Sequence, residues 1–351
     1  MTSPQQRSSG LRTSVSVTAG SGGVSVTIPL TITVALGAPG APAALARRPL
    51  PSAAVDTGAL VAEEAPVADY RDREGYDAAF LGDGADVPLP TVTRGADDIL
   101  SFELDGETQT ELKYIHYSVV MSESRRMCFF SAANIDGNLS KKSARVGWKW
   151  DPRIPKAQQI MHECYGSPPK FSRGHMTRRE DPGWGDKTMA KRGNEDSMHV
   201  TNTTPQMQAF NAPIWLALED YALQHAREDE MKISVFTGPY FSEEDPVMYG
   251  VRIPLAFWKI IAFIHDDTGK LSATGYEMNQ ESTLQPEEFV FGAFTSPQLQ
   301  MATQVPIRSI ETRAGLTFGR LASVDPLGGA QEAVMGGARN PLQTLEQIRF
   351  V

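Results

Sequence analysis

The sequence predicts an α+β protein with a mixed or antiparallel sheet and flanking helices. The first observation is a set of stretches rich in Val, Ile, Phe, Tyr and Trp at residues 112–120, 127–135, 231–237, 247–253, 258–264 and 274–279. The second is one long helical pattern at 207–230. There Phe210, Ile214, Leu218 and Tyr221 recur at near-helical spacing, with Trp215 beside them. The third is size: 351 residues of ordinary globular composition can bury one large core, or one core with an appendage.

Taken in order, the chain divides into an N-terminal arm at 1–68, a main domain at 69–324 and a tail at 325–351. In the arm, Val24, Val26, Ile28, Leu30, Ile32 and Val34 alternate with small or polar residues, as in a half-buried strand. Pro29 removes a backbone donor and points to an edge or bulged strand. A long strand outside the main domain needs a partner surface. Residues 15–36 are therefore expected to form a homodimer or higher homo-oligomer contact, or to pack on their own domain. The rival reading is a signal peptide, with Arg7 and Arg12 as its basic region and residues 44–46 as its cleavage end. It would make the protein secreted or periplasmic rather than cytoplasmic. No run reaches the roughly 18 apolar residues that span a bilayer, so no membrane partner is expected.

Residues 37–68 are rich in Ala, Pro and Gly and form a linker. Residues 56–111 hold 3 Arg against 15 Asp/Glu, whereas residues 141–192 hold 13 Lys/Arg against 5 Asp/Glu. The net charge of −9 thus hides a basic block that would attract phosphates. The acidic segment is either an arm across that basic surface or a solvated wrapping segment. Residues 112–120 and 127–135 are the first strands, and the second ends at the Asn134–Gly137 turn signature. His116 belongs to the sheet. Arg125 and Arg126 lie between strands, where one could reach a phosphate. Trp148 and Trp150 could stack on bases or pack in the core. In the tail, residues 342–350 suggest a short helix with Leu342, Leu345 and Ile348 on one side. There are no repeats, Walker motif, dinucleotide fingerprint or nucleophile elbow.

Chemistry concentrates between Lys170 and Glu219. His175 follows Gly174, whose missing side chain would allow a tight turn and close phosphate approach. A neutral imidazole is a suitable base near pH 7. Arg173 offers a planar fork to phosphate oxygens. Asn211 is a neutral oxygen donor of the kind a hard, mostly hydrated Mg²⁺ accepts. Glu219, eight residues on and roughly two helical turns away, could hold metal-bound water. Thr203-Thr204-Pro205 reads as a helix entry. Arg178 and Arg179 could track a nucleic-acid backbone. Glu180 and Asp181 offer a rival carboxylate metal site. Cys128 and Cys164 are the two cysteines; they exclude a disulfide-rich fold, fit a reducing compartment, and leave one disulfide open.

The blocks Phe171-Ser172-Arg173-Gly174-His175-Met176 and Thr201-Asn202-Thr203-Thr204-Pro205-Gln206, followed by Asn211 and Glu219, resemble the DNA/RNA non-specific endonuclease family. That family has a ββα-metal fold, an Asp-Arg-Gly-His motif and a later Asn/Glu-bearing helix. The resemblance implies His175 as general base, Asn211 as the direct ligand of Mg²⁺ (or Mn²⁺), and Glu219 as its partner through water. It implies phosphate contact by Arg173, with Asn202 and Gln206 at nucleic-acid-binding, site-shaping positions. The family's usual Asp is Ser172 here, which can orient His175 only weakly and leaves endo against exo cleavage open. The implied activity is hydrolysis of DNA and RNA with little sequence preference, giving 5′-phosphates. Activity is expected to fall between pH 8 and 5 as His175 protonates. The alternative is a catalytically weak nucleic-acid-binding or assembly protein on the same scaffold.

Overall fold

The computed structural model describes residues 16–20, 23–27, 65–165, 171–207, 231–280, 303–328 and 339–341. The expected helices at 207–230 and 342–350, the remainder of the alternating stretch after Thr27, and the linker before residue 65 lie outside the described residues. The chain divides into a unit at Met1–Ala53 and a unit at Ala54–Val351. In the first, Ser16–Gly20 pairs antiparallel with Gly23–Thr27.

The second unit is built on an eight-stranded sheet. Its strands are β1 (Glu111–Tyr114), β2 (Tyr117–Ser122), β3 (Met127–Asp136), β6 (Lys232–Tyr240), β7 (Ala256–His265), β8 (Lys270–Asn279), β9 (Thr303–Val305) and β10 (Asn340–Pro341). β4 (Ser172–His175) and β5 (Thr203–Gln206) form a separate ribbon. The sheet order is β10-β9-β8-β7-β6-β3-β2-β1, and every pair is antiparallel. The sheet is thus antiparallel rather than mixed, within the expected α+β class.

Alternation along each strand splits the side chains between two cores. Val119, Met121, Ile135, Val235, Phe257 and Ile261 pack on one face with Ile154 and with Met176, just past the ribbon. On the other face Phe130, Phe236, Trp258 and Ile260 meet Ile307 and Ile310 of helix α2 (Ile307–Ala314). Helix α1 is Lys187–Asp196, started by Asp186, whose carboxylate accepts from Thr188 N and Met189 N.

The stretch at 112–120 is two strands, not one. Tyr114 pairs with Tyr117 across a two-residue turn in which His116 takes φ 63°, a left-handed step that a β-rich pattern does not announce. The stretch at 247–253 is likewise a hairpin, Val247–Met248 with Val251–Arg252. The acidic segment is neither a free arm nor merely solvated. Tyr76, Phe80, Leu81 and Val87 are core residues on the α2 face, and Tyr70 belongs to the opposite core. Thr91–Val92 pairs with Leu316–Thr317. The acidic charges face outward while the aromatic residues between them fold inward, which is what a composition count cannot separate.

Candidate active site

β4 and β5 place the two sequence blocks side by side. Their antiparallel register sets Thr203 opposite His175, Thr204 opposite Gly174, Pro205 opposite Arg173 and Gln206 opposite Ser172. Thr203-Thr204-Pro205 is therefore strand, not helix entry. Gly174 is not left-handed. Its role is to make room: a Cβ there would overlap the Gln206 side chain, which crosses the ribbon. Gln206 is consequently buried, 3% exposed.

Asn202 is fully buried. Its Oδ1 accepts from Thr177 N at 2.8 Å, and its Nδ2 donates to Thr177 O at 2.8 Å and Ser197 O at 3.0 Å. With the whole amide engaged inside the protein, Asn202 has no face for nucleic acid. It ties the chain leaving β4 to the end of α1. Gln206 is corrected on the same ground of burial. Both shape the ribbon instead of touching a substrate. Ser131 Oγ and Thr177 Oγ1, 2.5 Å apart, fasten the same turn to β3.

His175 ends β4. Its ring lies 4.7 Å from that of Trp148, which is 1% exposed and part of the core. The residue is half-buried, yet Nε2 is sealed from solvent and meets no hydrogen-bond partner among the described residues. Burial pushes its pKa down to about 3, and the cations Arg145, Arg179 and Arg178 lower it further in that order. Among the described residues the charges acting on it are all cationic. The imidazole is neutral across the whole physiological range. The expected loss of activity between pH 8 and 5 is therefore moved to more acid pH.

The arginines divide into three kinds. Arg173 is half-buried; its Nη2 donates to Met161 O, and its guanidinium lies 4.6 Å over Tyr165 and 5.7 Å from Trp148. Arg179 is spent as a brace: Nη1 donates to Ser143 O at 2.9 Å and Asn194 Oδ1 at 2.7 Å, and Nη2 to Glu180 Oε1 at 3.0 Å. It contributes charge, not a fork. Arg178 lies beside it, its backbone N–H donating to Asp181 Oδ2 at 3.1 Å. Arg145 was passed over in the sequence. It is exposed, sits 5.7 Å over Trp148, and is the nearest in effect of the cations on His175. The only signal for it was membership of the basic block.

Other candidates are committed elsewhere. Arg125 pairs with Asp245 at 2.9 Å, Arg126 with Glu163 at 2.9 Å and Arg153 with Asp151 at 2.6 Å. His116 stacks on Trp184 at 3.4 Å. Cys128 and Cys164 are free, buried thiols, each pushed up to about 12 by burial. Glu180 and Asp181 serve Arg179 and Arg178, and no group of three His, Cys, Asp or Glu side chains is placed to hold a metal among the described residues. Asn211 and Glu219 lie outside the described residues.

The DNA/RNA non-specific endonuclease family matches residues 95–324. The uncharacterized protein y4fB of Sinorhizobium fredii is 36% identical over 266 residues, which are 72% of this chain and 40% of that protein. The chain thus spans well under half the length of this relative. A chain of the EndoG/EndoGI complex, whose crystal structure concerns EndoG inhibition, is similar at a TM-score of 0.45 and 22% identity, over 66% of this chain and 90% of that one.

Proposed function

This chain belongs to the DNA/RNA non-specific endonuclease family, and from that footing we propose that it is a metal-dependent nuclease in which His175 takes a proton from the attacking water. One observation carries the reading: a neutral imidazole nitrogen, sealed and without a protein partner, among cations that would accept a phosphate. The large majority of buried side-chain polar atoms are hydrogen-bonded; Nε2 of His175, like Nδ1 of His265, is not, and His175 lies among the cations Arg145, Arg179 and Arg178. Its Nε2 is left for water or substrate.

Asn211 and Glu219 are the residues that would hold Mg²⁺, or Mn²⁺ in its place, directly and through water. Such an ion, when bound, neutralises charge on the phosphate and its leaving oxygen. The donor set fits, since a single neutral amide oxygen leaves a hard ion most of its waters. Arg145 joins Arg173 and Arg178 as the phosphate-facing charges, with Arg179 behind them. Contacts of this kind carry no sequence information, which fits cleavage with little sequence preference; DNA and RNA as substrates and 5′-phosphate products are what the resemblance to the family implies. We further assign a cytoplasmic location, which the two free thiols favour, and a homo-oligomer contact through residues 15–36.

The test is incubation with circular single-stranded DNA and RNA, with Mg²⁺ or with chelator. Linear products with Mg²⁺ alone establish endonucleolytic, metal-dependent cleavage; retained turnover in Asn211→Ala would refute the metal assignment. Binding without cleavage would favour the weaker scaffold reading, which Ser172 motivates. Deleting residues 15–36 should lower the mass in solution; an unchanged mass removes the oligomer proposal.

A further inference from the structure

Lys141, Lys142 and Arg145 stand exposed on the stretch of chain between β3 and Trp148. Cations on a surface loop are ordinarily just solvated. This loop, however, is fastened along its length. Leu139 N donates to Asp136 Oδ1 at 3.2 Å, and Leu139 O accepts from Gly185 N at 3.2 Å. Lys141 N donates to Gly183 O at 2.7 Å. Ser143 O accepts from Arg179 Nη1 and Ala144 O from Asn194 Nδ2, both at 2.9 Å. A Cβ on Gly183 would lie 3.1 Å from Lys141 O, so the glycine lets the two stretches meet closely.

The fastening puts the charges in order. Residues 139–141 run antiparallel to 183–185, with Ser140 bridged to Trp184. Arg145 is at the His175 end: it lies 5.7 Å over Trp148, whose ring is 4.7 Å from the imidazole. Lys142 and Lys141 follow, three and four residues back along the loop. Lys187 comes last, two residues past Gly185 at the first position of α1, which then runs back to meet Ala144 through Asn194. At about 3.3 Å per extended residue, Arg145 to Lys141 is at most roughly 13 Å. A stacked strand of about four nucleotides covers that length at ~3.4 Å each.

Local structure does not use these ammonium groups. The carboxylates along the run are engaged elsewhere: Glu180 with Arg179, Asp181 with Arg178 N, and Asp186 with the first N–H groups of α1. Among the described residues no carboxylate pairs with Lys141, Lys142, Arg145 or Lys187, and Lys141 Nζ approaches Leu139 O at 3.5 Å. A cation in the first turn of a helix also opposes its dipole, so helix stability does not call for Lys187.

We propose that Lys141, Lys142 and Lys187 form a second phosphate-binding track, leading away from the His175 site past Arg145. It holds the backbone of a nucleic acid roughly three or more phosphates to one side of the bond that is cut. The proposal rests on the nuclease reading above. A lysine ammonium is a point charge that binds phosphate without a fixed geometry. The gain comes from releasing counterions condensed on the nucleic acid, which take no part in the chemistry. The track therefore serves affinity for long strands and leaves the chemical step untouched.

The test compares labelled single-stranded DNA of about 4 and about 20 nucleotides, bound in chelator at several salt concentrations and cleaved with Mg²⁺. The wild type should lose affinity for the long strand more steeply with salt than for the short one. Each of Lys141→Gln, Lys142→Gln and Lys187→Gln should lower the long-strand slope by about 0.7, and the triple variant by about 2. The triple variant should raise KM for the long strand roughly tenfold, with kcat unchanged and the short strand's KM as it was. Lysine-to-arginine replacements at the three positions should behave as wild type. Arg308→Gln, which removes an exposed charge from α2 on the other face of the sheet, should change nothing. Melting temperatures should hold throughout, since all three lysines are exposed. An unchanged salt slope and long-strand affinity in the triple variant overturns the track and leaves the nuclease reading standing. Equal losses on short and long strands also overturn it, because the lysines would then act only as a general field at the site. No binding or cleavage of either strand by the wild type sinks both readings.

Discussion

His175 and His199 flank the same ribbon, and their surroundings are opposites. His175 closes β4; His199 precedes β5 by four residues. Burial holds both neutral, to about 3 and about 4 respectively. Yet His199 is satisfied at both nitrogens, Nδ1 2.6 Å from Asp196 O and Nε2 2.7 Å from the Tyr70 hydroxyl. Among the described residues His175 Nε2 has no partner. The charges differ as well: His199 sits between Lys149 and the carboxylates Asp151 and Asp196, whereas His175 sees cations. A lowered pKa therefore does not separate a working histidine from a structural one. The two differ in their hydrogen bonds, complete at His199 and incomplete at His175 among the described residues.

The sharpest way to break the contrast is to truncate each ring. His175→Ala should lower turnover by roughly 10²–10⁴-fold and leave the melting temperature nearly unchanged. His199→Ala should cost about 2–4 kcal/mol of stability through lost packing and an orphaned Tyr70 hydroxyl, with activity per folded molecule retained. Nuclease assays alongside thermal melts separate the two. Turnover in His175→Ala within tenfold of wild type would end its assignment as the base.

Arg145 tests the electrostatic half of the contrast. Removing an exposed cation that faces the developing phosphate charge should lower kcat/KM by about 10- to 100-fold. It should also act on the pH profile. Arg145 disfavours the imidazolium, so Arg145→Ala raises the pKa of His175 and moves the acid limb of kcat/KM to higher pH, while Arg145→Lys holds it in place. The wild-type profile should stay flat from pH 8 to 5 and fall only toward the His175 value of about 3. A wild-type limb near the unperturbed imidazole value of about 6.5 would show that the ring is more open to water than its burial indicates.

Much of this contrast was legible in the chain, and the parts that were not have identifiable causes. The ribbon blocks stood out because their residue types are tied to a chemistry, and all six predicted strand stretches are present, four as single strands within a few residues and two as hairpins. The break at Ile115-His116 was missed because one left-handed residue ends a strand without changing its composition. α1 was missed because it buries little apolar surface; its signal was the Asp186 cap. The basic block announced the field around His175 but not its division of labour. Arg179 is consumed by Asn194 and Ser143, and Arg145, with no motif to mark it, is exposed. Burial of Asn202 followed from contacts 25 residues apart along the chain, which spacing does not encode.

Gly174 sets a steric rather than electrostatic difference between the two sides of the ribbon. Gly174→Ala drives a methyl group into Gln206. Overpacking of this kind costs about 1–3 kcal/mol, and a displaced His175 next door should lose roughly tenfold in turnover or more. Adding Gln206→Ala opens the space, so the double variant should recover much of both losses. Strict additivity of the two substitutions, measured by melts and initial rates, would show that the two side chains do not share the ribbon's interior.

The smallest effect comes from the satisfied histidine's partner. Tyr70→Phe keeps the ring, which packs edge-on to His199 at 5.5 Å, and removes only the hydroxyl that donates to Nε2. The expected cost is about 1 kcal/mol, a shift of a few degrees in melting temperature, with turnover unchanged. The same ring fixes a pH dependence. The folded pKa of His199, about 4, lies below the unfolded value of about 6.5, so between them the unfolded chain binds the extra proton. The stabilisation of the neutral ring is complete above pH 6.5 and is lost progressively as pH falls toward 4. Melts of wild type and His199→Gln across that window should converge toward acid pH as the wild type surrenders this contribution. Parallel curves would mean that His199 is already protonated in the folded protein, and the distinction drawn between it and His175 would have to rest on hydrogen bonding alone.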